Sequence, residues 1–254
     1  MAARVDVLSE DERLRYHRQI IFSNWGEQGQ TRIKSATVFV AGVGGLGGPV
    51  SMYLAVAGVG RLRICDRGRV ELSNLNRQIL FDDDDIDILK VDAAACTLKR
   101  MNHHVRVECL SEEINRDSIE HLVGDSDIIV DCMDNFEARY VINDYAVAKG
   151  IPFVHAGIEG FAGQLAFIHP PHTPCLRCKI PDIPPTPEQF PVVGVTAGIL
   201  GALEAHEVLK YLTGVGTNLK NAILLWNGMT SEFHRIEVDK DPDCPVCGKG
   251  TTIK

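Results

Sequence analysis

Ala36-Thr37-Val38-Phe39-Val40-Ala41-Gly42-Val43-Gly44-Gly45-Leu46-Gly47 carries a short apolar run directly into a series of glycines. Glycines at 42, 44 and 47 follow the G-x-G-x-x-G spacing. Positions without a Cβ there permit a tight turn and let backbone N–H groups approach a phosphate at a helix N-terminus. Next come a small-residue stretch, Pro49 to Ala57, suited to a helix, and a β-rich run, Arg61 to Asp66. Strand, glycine loop, helix and strand make a parallel βαβ unit. The loop by itself fits NAD, FAD and ATP alike, and also a tight turn without a ligand. Asp66 at the second strand end suits a ribose hydroxyl in any of the three nucleotides.

Upstream, Ser9 to Ser35 reads as helical, with Ser9 and Glu12 as a capping box and with Gly26 and Gly29 breaking it into two pieces. Downstream the alternation continues. Helices are expected at Asp92 to Met101, Arg116 to Leu122 and Ala138 to Lys149, and strands at Val105 to Leu110, Ser126 to Asp131 and Pro152 to Ala156. This succession predicts an α/β fold, a Rossmann-like, mostly parallel sheet with helices on both faces. After Gly157 the texture changes. Gly163 to Ile168 reads as a strand, Pro170 to Pro191 as an irregular proline-rich stretch, Val195 to Leu212 as a long helix, and Ala222 to Asn227 and Glu232 to Val238 as a final strand pair. We expect one domain over 1–254: helices in 1–35, a nucleotide-binding core in 36–156, and in 157–254 a partner-binding and zinc part, an antiparallel extension tied by four cysteines.

At 254 residues and 45% apolar, the chain can bury a substantial core. Its apolar runs fall far short of the roughly 20 residues of a membrane span. The polar, charged segment Met1 to Arg15 does not read as a signal peptide, so a cytoplasmic location is expected. A formal net charge of −8 argues against a broad basic surface for nucleic acid.

After the Arg61 to Asp66 strand comes a polar cluster, Asp66-Arg67-Gly68-Arg69-Val70-Glu71-Leu72-Ser73-Asn74-Leu75-Asn76-Arg77-Gln78, in which Asn74, Asn76, Arg77 and Gln78 supply donors in close succession. A dinucleotide dehydrogenase gives no reason for it, whereas a triphosphate needs cations and amide donors nearby. A solvated loop is the bland alternative. Lys90 follows the acidic run Asp82 to Asp85, itself read as a solvated loop. Asp134-Asn135 follow the strand ending at Asp131. Asp134 suits a magnesium ion beside phosphates, or the N-cap of the helix starting near Ala138.

Cys175-Leu176-Arg177-Cys178 and Cys244-Pro245-Val246-Cys247 are two Cys-x-x-Cys pairs. Four thiolates match a tetrahedral, structural zinc that ties the C-terminal part to the loop after Ile168; two redox pairs are the alternative. Cys65, Cys96, Cys109 and Cys132 read as small core residues. None of the nine histidines forms a ligand or triad pattern, and His103-His104 reads as a surface turn.

The chain resembles the ThiF/MoeB/HesA enzymes, relatives of the adenylation domain of ubiquitin-activating enzymes. The resemblance rests on Arg15-Tyr16-His17-Arg18-Gln19, the glycine loop, Ser73-Asn74-Leu75-Asn76-Arg77-Gln78, Lys90, Asp131-Cys132-Met133-Asp134-Asn135 and the cysteine pairs, in the family's order. It implies an adenylyltransferase that uses ATP to activate the C-terminal glycine of a small ubiquitin-like sulfur-carrier protein ending in Gly-Gly, for molybdopterin, thiamine or tRNA sulfur chemistry. Gly42, Gly44, Gly45, Asp66, Ser73, Asn74, Leu75, Asn76, Arg77, Lys90, Asp134 and Asn135 would then contact ATP, with Asp66 on the ribose and Asp134 on magnesium. Arg18, Arg77, Lys90 and Asp134 would act in catalysis, Arg18 from the neighbouring subunit of a homodimer.

Two features depart from the family pattern. Gly68 stands where a second aspartate is usual, between Arg67 and Arg69, and Ile183 to Thr196 holds no nucleophilic cysteine. The second favours an enzyme that stops at the acyl-adenylate. The chain also ends soon after Cys247, so no appended rhodanese-like domain is expected. Adenylation of a small molecule or a modified tRNA base, a nicotinamide oxidoreductase and a non-catalytic scaffold are the competing readings.

Overall fold

A computed structural model describes residues 7–181 and 190–248. The N-terminal segment forms three short helices, α1 (Glu10–Arg15), α2 (His17–Ile20) and α3 (Gly26–Ser35). Ser9 Oγ accepts the Glu12 N–H at 3.1 Å while the Ser9 N–H donates to Glu12 Oε2 at 2.8 Å, the capping box expected. The breaks differ from expectation. Gly29 lies inside α3, and the first interruption is at Tyr16. Buried Tyr16 is held by Asn102, whose Nδ2 donates to its hydroxyl at 2.8 Å, and this tertiary contact sets the chain's course there.

The core follows as β1 (Thr37–Ala41), α4 (Gly47–Ala57), β2 (Arg61–Cys65), α5 (Lys90–Met101), β3 (Arg106–Leu110), α6 (Ile119–Val123), β4 (Ile128–Asp131), α7 (Phe136–Lys149) and β5 (Phe153–Glu159). Then come β6 (Ala162–Ile168), α8 (Leu176–Lys179), α9 (Gly194–Thr213), β7 (Ala222–Asn227) and β8 (Glu232–Glu237). The expected helix at Arg116 to Leu122 is shortened to α6, because Asn115 Oδ1 takes the N–H groups of Asp117 and Ser118 into a turn.

The described strands form one sheet in the order β3-β2-β1-β4-β5-β6-β7-β8. The first five are parallel, and β6, β7 and β8 continue antiparallel. From β1 the chain winds outward through β2 and β3, then returns to β4 on the other side. The β1–β4 boundary is therefore a topological switch point, where ligands bind outside the carboxyl ends of the strands. Ala41 is in register with both Cys65 and Asp131, so β1, β2 and β4 present their carboxyl ends at one edge.

Both faces are covered. Val38 and Val40 pack with Val50 and Leu54 of α4, Leu98 of α5 and Leu200 of α9. Phe39 and Ala41 pack with Leu122 of α6 and Ile142 of α7. Burying each such aliphatic or aromatic side chain contributes roughly 1.5–3 kcal/mol, which is why β1 reads as a continuous apolar run. Cys65 and Cys132 are core residues as expected; Cys96 and Cys109 are not. Cys96 lies on the outward side of α5 and Cys109 on the edge strand β3, and both are exposed.

Candidate active site

The glycine loop turns from β1 into α4. Gly42 has φ +90°, a left-handed conformation that glycine adopts without strain, and a Cβ there would lie 2.9 Å from the Cys132 carbonyl oxygen. No side chain caps α4, and the N–H groups of Gly44 and Gly45 donate no hydrogen bond among the described residues. The result is an unsatisfied set of N–H donors at a helix N-terminus, which suits a phosphate.

Asp66 follows β2. Its Oδ2 accepts the Val43 N–H at 3.1 Å and its Oδ1 the Gly68 N–H at 2.8 Å, so it braces the glycine loop while staying half-exposed. Lys90 opens α5, its N–H donating to the Gly68 carbonyl at 3.0 Å. A Cβ on Gly68 would point at Asp66 Oδ1, 3.1 Å away, and at Lys90 Cε, 3.5 Å away. An aspartate at 68 would thus crowd a second carboxylate against Asp66. The flanking arginines reach elsewhere. Arg67 pairs with Glu113 at 2.7 Å, and Arg69 donates to the Asp87 carbonyl at 2.5 Å.

The polar loop is ordered by its own side chains. Buried Asn74 accepts the Glu71 N–H on Oδ1, and Arg77 Nη1 donates to the Ser73 carbonyl at 2.7 Å and to Asn76 Oδ1 at 3.0 Å. Ser73 and Asn76 are exposed, and Leu75 and Arg77 half-buried. Gln78 is buried with Oε1 unpartnered, and its Nε2 lies 3.5 Å from where a Gly44 Cβ would be. The start of α9 closes against this loop. A Cβ on Gly194 would lie 2.7 Å from the Asn76 carbonyl oxygen, and one on Gly45 would lie 3.3 Å from Ala197 Cβ. The part of the cysteine-free segment at Ile183 to Gln189 lies outside the described residues.

Asp134, just past β4, is exposed; its Oδ1 accepts a long 3.3 Å hydrogen bond from Asn135 Nδ2. Asn135 performs the helix capping, with Oδ1 accepting the Ala138 N–H at 2.9 Å. Asp134 therefore keeps a carboxylate facing outward at the strand edge, the oxygen ligand a hard cation takes.

Behind this loop lies a buried polar cluster that the sequence reading missed. Asp131 Oδ1 accepts the Met133 N–H at 3.2 Å, and Asp131 Oδ2 lies 2.8 Å from His155 Nδ1. His155 Nε2 lies 3.3 Å from Gln164 Nε2, so a neutral imidazole donates from Nδ1 and accepts at Nε2. Burial lowers the His155 pKa, in keeping with the neutral form. Arg139 donates to the Met133 carbonyl from Nε at 3.1 Å and Nη2 at 2.6 Å, and to the Ala156 carbonyl at 3.3 Å. Glu204 of α9 is wholly buried; burial, then the Asp131 charge, raise its pKa well above the ordinary range. The sequence signal lay in register: Asp131 faces His155 across the parallel pair β4 and β5.

Arg18 is not brought to this edge. It is exposed on α2, beside Gln19, whose Nε2 donates to the Ala57 carbonyl at the far end of α4 from the glycine loop. Eleven helical residues separate those ends by about 16 Å.

The four cysteines of the two pairs converge. Sγ separations are 4.0 Å for Cys175–Cys178, 3.6 Å for Cys175–Cys244 and 3.4 Å for Cys178–Cys247. A tetrahedral zinc with bonds of about 2.3 Å sets its sulfurs about 3.8 Å apart, so the group fits one ion. The first pair is fastened to α7: Asn143 Oδ1 accepts the Leu176 N–H at 2.8 Å, and Arg177 forms a bidentate pair with Asp144 while lying 4.1 Å over the Tyr140 ring. His103 and His104 occupy a turn, as expected, and both approach Asp11 of α1, His104 Nε2 at 2.7 Å. No described helix is long and apolar enough to cross a membrane.

Known proteins share this fold and much of this sequence. The chain is 40% identical to the sulfur carrier protein adenylyltransferase of Thermus thermophilus, covering 96% of this chain and 94% of that protein. It is also 40% identical to the adenylyltransferase and sulfurtransferase MOCS3 of Mus musculus, over 97% of this chain but 55% of the longer relative. The solved structure of Escherichia coli MccB with ATP superposes with a TM-score of 0.83 at 26% identity, over 92% of this chain and 73% of that one. The sequence model of the ThiF family matches residues 16–246, and the chain belongs to the ThiF family.

Proposed function

We propose that this chain is an adenylyltransferase that activates the C-terminal glycine of a small ubiquitin-like sulfur-carrier protein with ATP. One observation carries the reading: a chain 40% identical to a sulfur carrier protein adenylyltransferase gathers the glycine loop, Asp66, the Ser73 to Arg77 loop, Lys90 and Asp134 around the carboxyl ends of β1, β2 and β4. The phosphates lie on the N–H groups of Gly44 and Gly45, with Gly42 making the turn, and the ribose on Asp66. Leu75, Asn76 and Asn135 complete the nucleotide's surroundings.

A carboxylate oxygen of the carrier's terminal glycine attacks the α-phosphorus. The new O–P bond forms as the bond from that phosphorus to the bridging oxygen breaks, and the electron pair leaves with pyrophosphate. Arg77 and Lys90 stabilise the charge that develops on the leaving group. Asp134 would hold a magnesium ion, which would supply further neutralisation of the phosphate charge. Arg18 acts across a homodimer, as Arg18 of the partner subunit, which accounts for its distance from its own chain's edge. Cys175, Cys178, Cys244 and Cys247 hold one zinc with no open coordination position, a structural role. Clustered thiols of this kind suit a reducing, cytoplasmic setting. Exchange of labelled pyrophosphate into ATP, with and without a Gly-Gly-ended carrier, tests the reading; background exchange with every such carrier of the same cell would overturn it.

A further inference from the structure

Met133 immediately precedes Asp134, and its N–H and carbonyl are gripped from both sides by buried side chains. The N–H goes to Asp131 Oδ1, and the carbonyl takes two donors from Arg139. Asp131 is itself fixed by His155, and His155 by Gln164 of β6. Asp131 and His155 are wholly buried and Arg139 is 7% exposed. Burying a carboxylate and a guanidinium costs free energy unless each is well paired, so packing alone gives no reason for this cluster at the end of β4. What it does in space is hold the one exposed turn that presents the Asp134 carboxylate. Gly157 leaves it room: a Cβ there would lie 3.3 Å from both Arg139 Nη1 and Gln164 Nε2.

We infer that Asp131, His155 and Arg139 are positioning residues, a buried bracket that aims Asp134 at the magnesium ion accompanying ATP. The inference rests on the magnesium role given to Asp134 under the proposed function. Outer partners of a metal-binding carboxylate characteristically change metal affinity by about 10–100-fold when replaced. Neither Arg139 nor Asp131 would touch ATP or the ion.

The test is ATP binding by calorimetry on the full chain, titrated at a series of magnesium concentrations, for the unsubstituted protein, Asp131→Asn and Arg139→Lys. Asp131→Asn is near-isosteric and Arg139→Lys keeps the charge while losing the planar fork that gives two donors to the Met133 carbonyl; thermal melting together with zinc content reports whether each has folded. The bracket predicts that ATP affinity without magnesium stays within about twofold, while the magnesium concentration for half-maximal enhancement rises at least about tenfold in both variants. Rescue should be graded, with Arg139→Lys, which keeps one donor for the Met133 carbonyl, less impaired than Arg139→Met. Folded variants whose magnesium dependence matches the unsubstituted protein would overturn the bracket and leave the adenylation reading standing. Magnesium-independent ATP binding by the unsubstituted protein would overturn the role of Asp134 and the bracket with it. Failure of both Asp131→Asn and Arg139→Lys to fold would also overturn it, by making the cluster a requirement of the fold.

Discussion

A Cβ placed on Gly47 would stand 1.9 Å from the carbonyl oxygen of Gly42, so the two ends of the glycine loop touch through backbone alone. The third glycine of the series therefore closes the turn that aims the α4 N-terminus at its ligand. Gly48, one residue on, has only ordinary contact available, with Leu80 Cγ 3.7 Å from a Cβ. Gly47→Ala should cost about 1–3 kcal/mol of stability and abolish ATP binding, while Gly48→Ala keeps ATP affinity within about threefold. Denaturant unfolding and calorimetry on the two variants check this pair.

Lys90 separates structural from chemical roles within one residue. Its backbone N–H holds the Gly68 carbonyl at 3.0 Å, so truncating the side chain leaves that contact in place. Lys90→Ala should fold with an unchanged melting temperature and lower the pyrophosphate-exchange rate by roughly 10²–10³-fold. Steady-state exchange rates at saturating ATP measure it.

The cysteine cluster gives a metal-removal prediction. Cys175 and Cys178 sit on a segment fastened to α7 by Asn143 and Asp144, whereas Cys244 and Cys247 belong to the chain after β8. Removing the zinc proposed for this cluster should untie those two parts and leave the glycine loop untouched. Cys244→Ser should drop bound zinc from one per chain toward none and lower the melting temperature, with ATP still bound. Elemental analysis and calorimetry test the two halves separately.

Glu204 makes stability depend on pH in a definite direction. Its folded pKa is raised well above 4.5, first by burial and then by Asp131. The native state therefore keeps a proton that the unfolded chain gives up, and its contribution is fully present below about pH 4.5 and is lost as pH rises toward the folded pKa. Glu204→Gln, which cannot ionise, should gain on the unsubstituted protein as pH goes from 5 to 8. Urea midpoints at the two pH values read the difference; parallel pH dependence would refute the assignment.

Most of the framework was legible because its determinants are local. The βαβ unit announced itself through a doubly buried apolar strand followed by glycines, and the carboxyl-end residues Asp66 and Asp134 through their positions after strands. Less legible was whatever depended on contacts across the fold. The break at Tyr16 arises from Asn102, far away in sequence, not from Gly29. Exposure of Cys96 and Cys109 follows from which face of α5 and which edge of the sheet they occupy. Asp131, His155, Arg139 and Glu204 come from four separate elements, β4, β5, α7 and α9, and nothing local in the sequence says that these four side chains meet. Asn135 rather than Asp134 caps α7, a choice between neighbours that only geometry makes.

Mass spectrometry of a Gly-Gly-ended carrier incubated with this chain, ATP and magnesium addresses the central claim most directly. The account predicts a carrier heavier by one AMP group on its terminal glycine. That product should be absent with Asp134→Ala, although the variant folds and retains its zinc. An unmodified carrier in the presence of ATP-competent protein, or adenylation that survives Asp134→Ala, would contradict it.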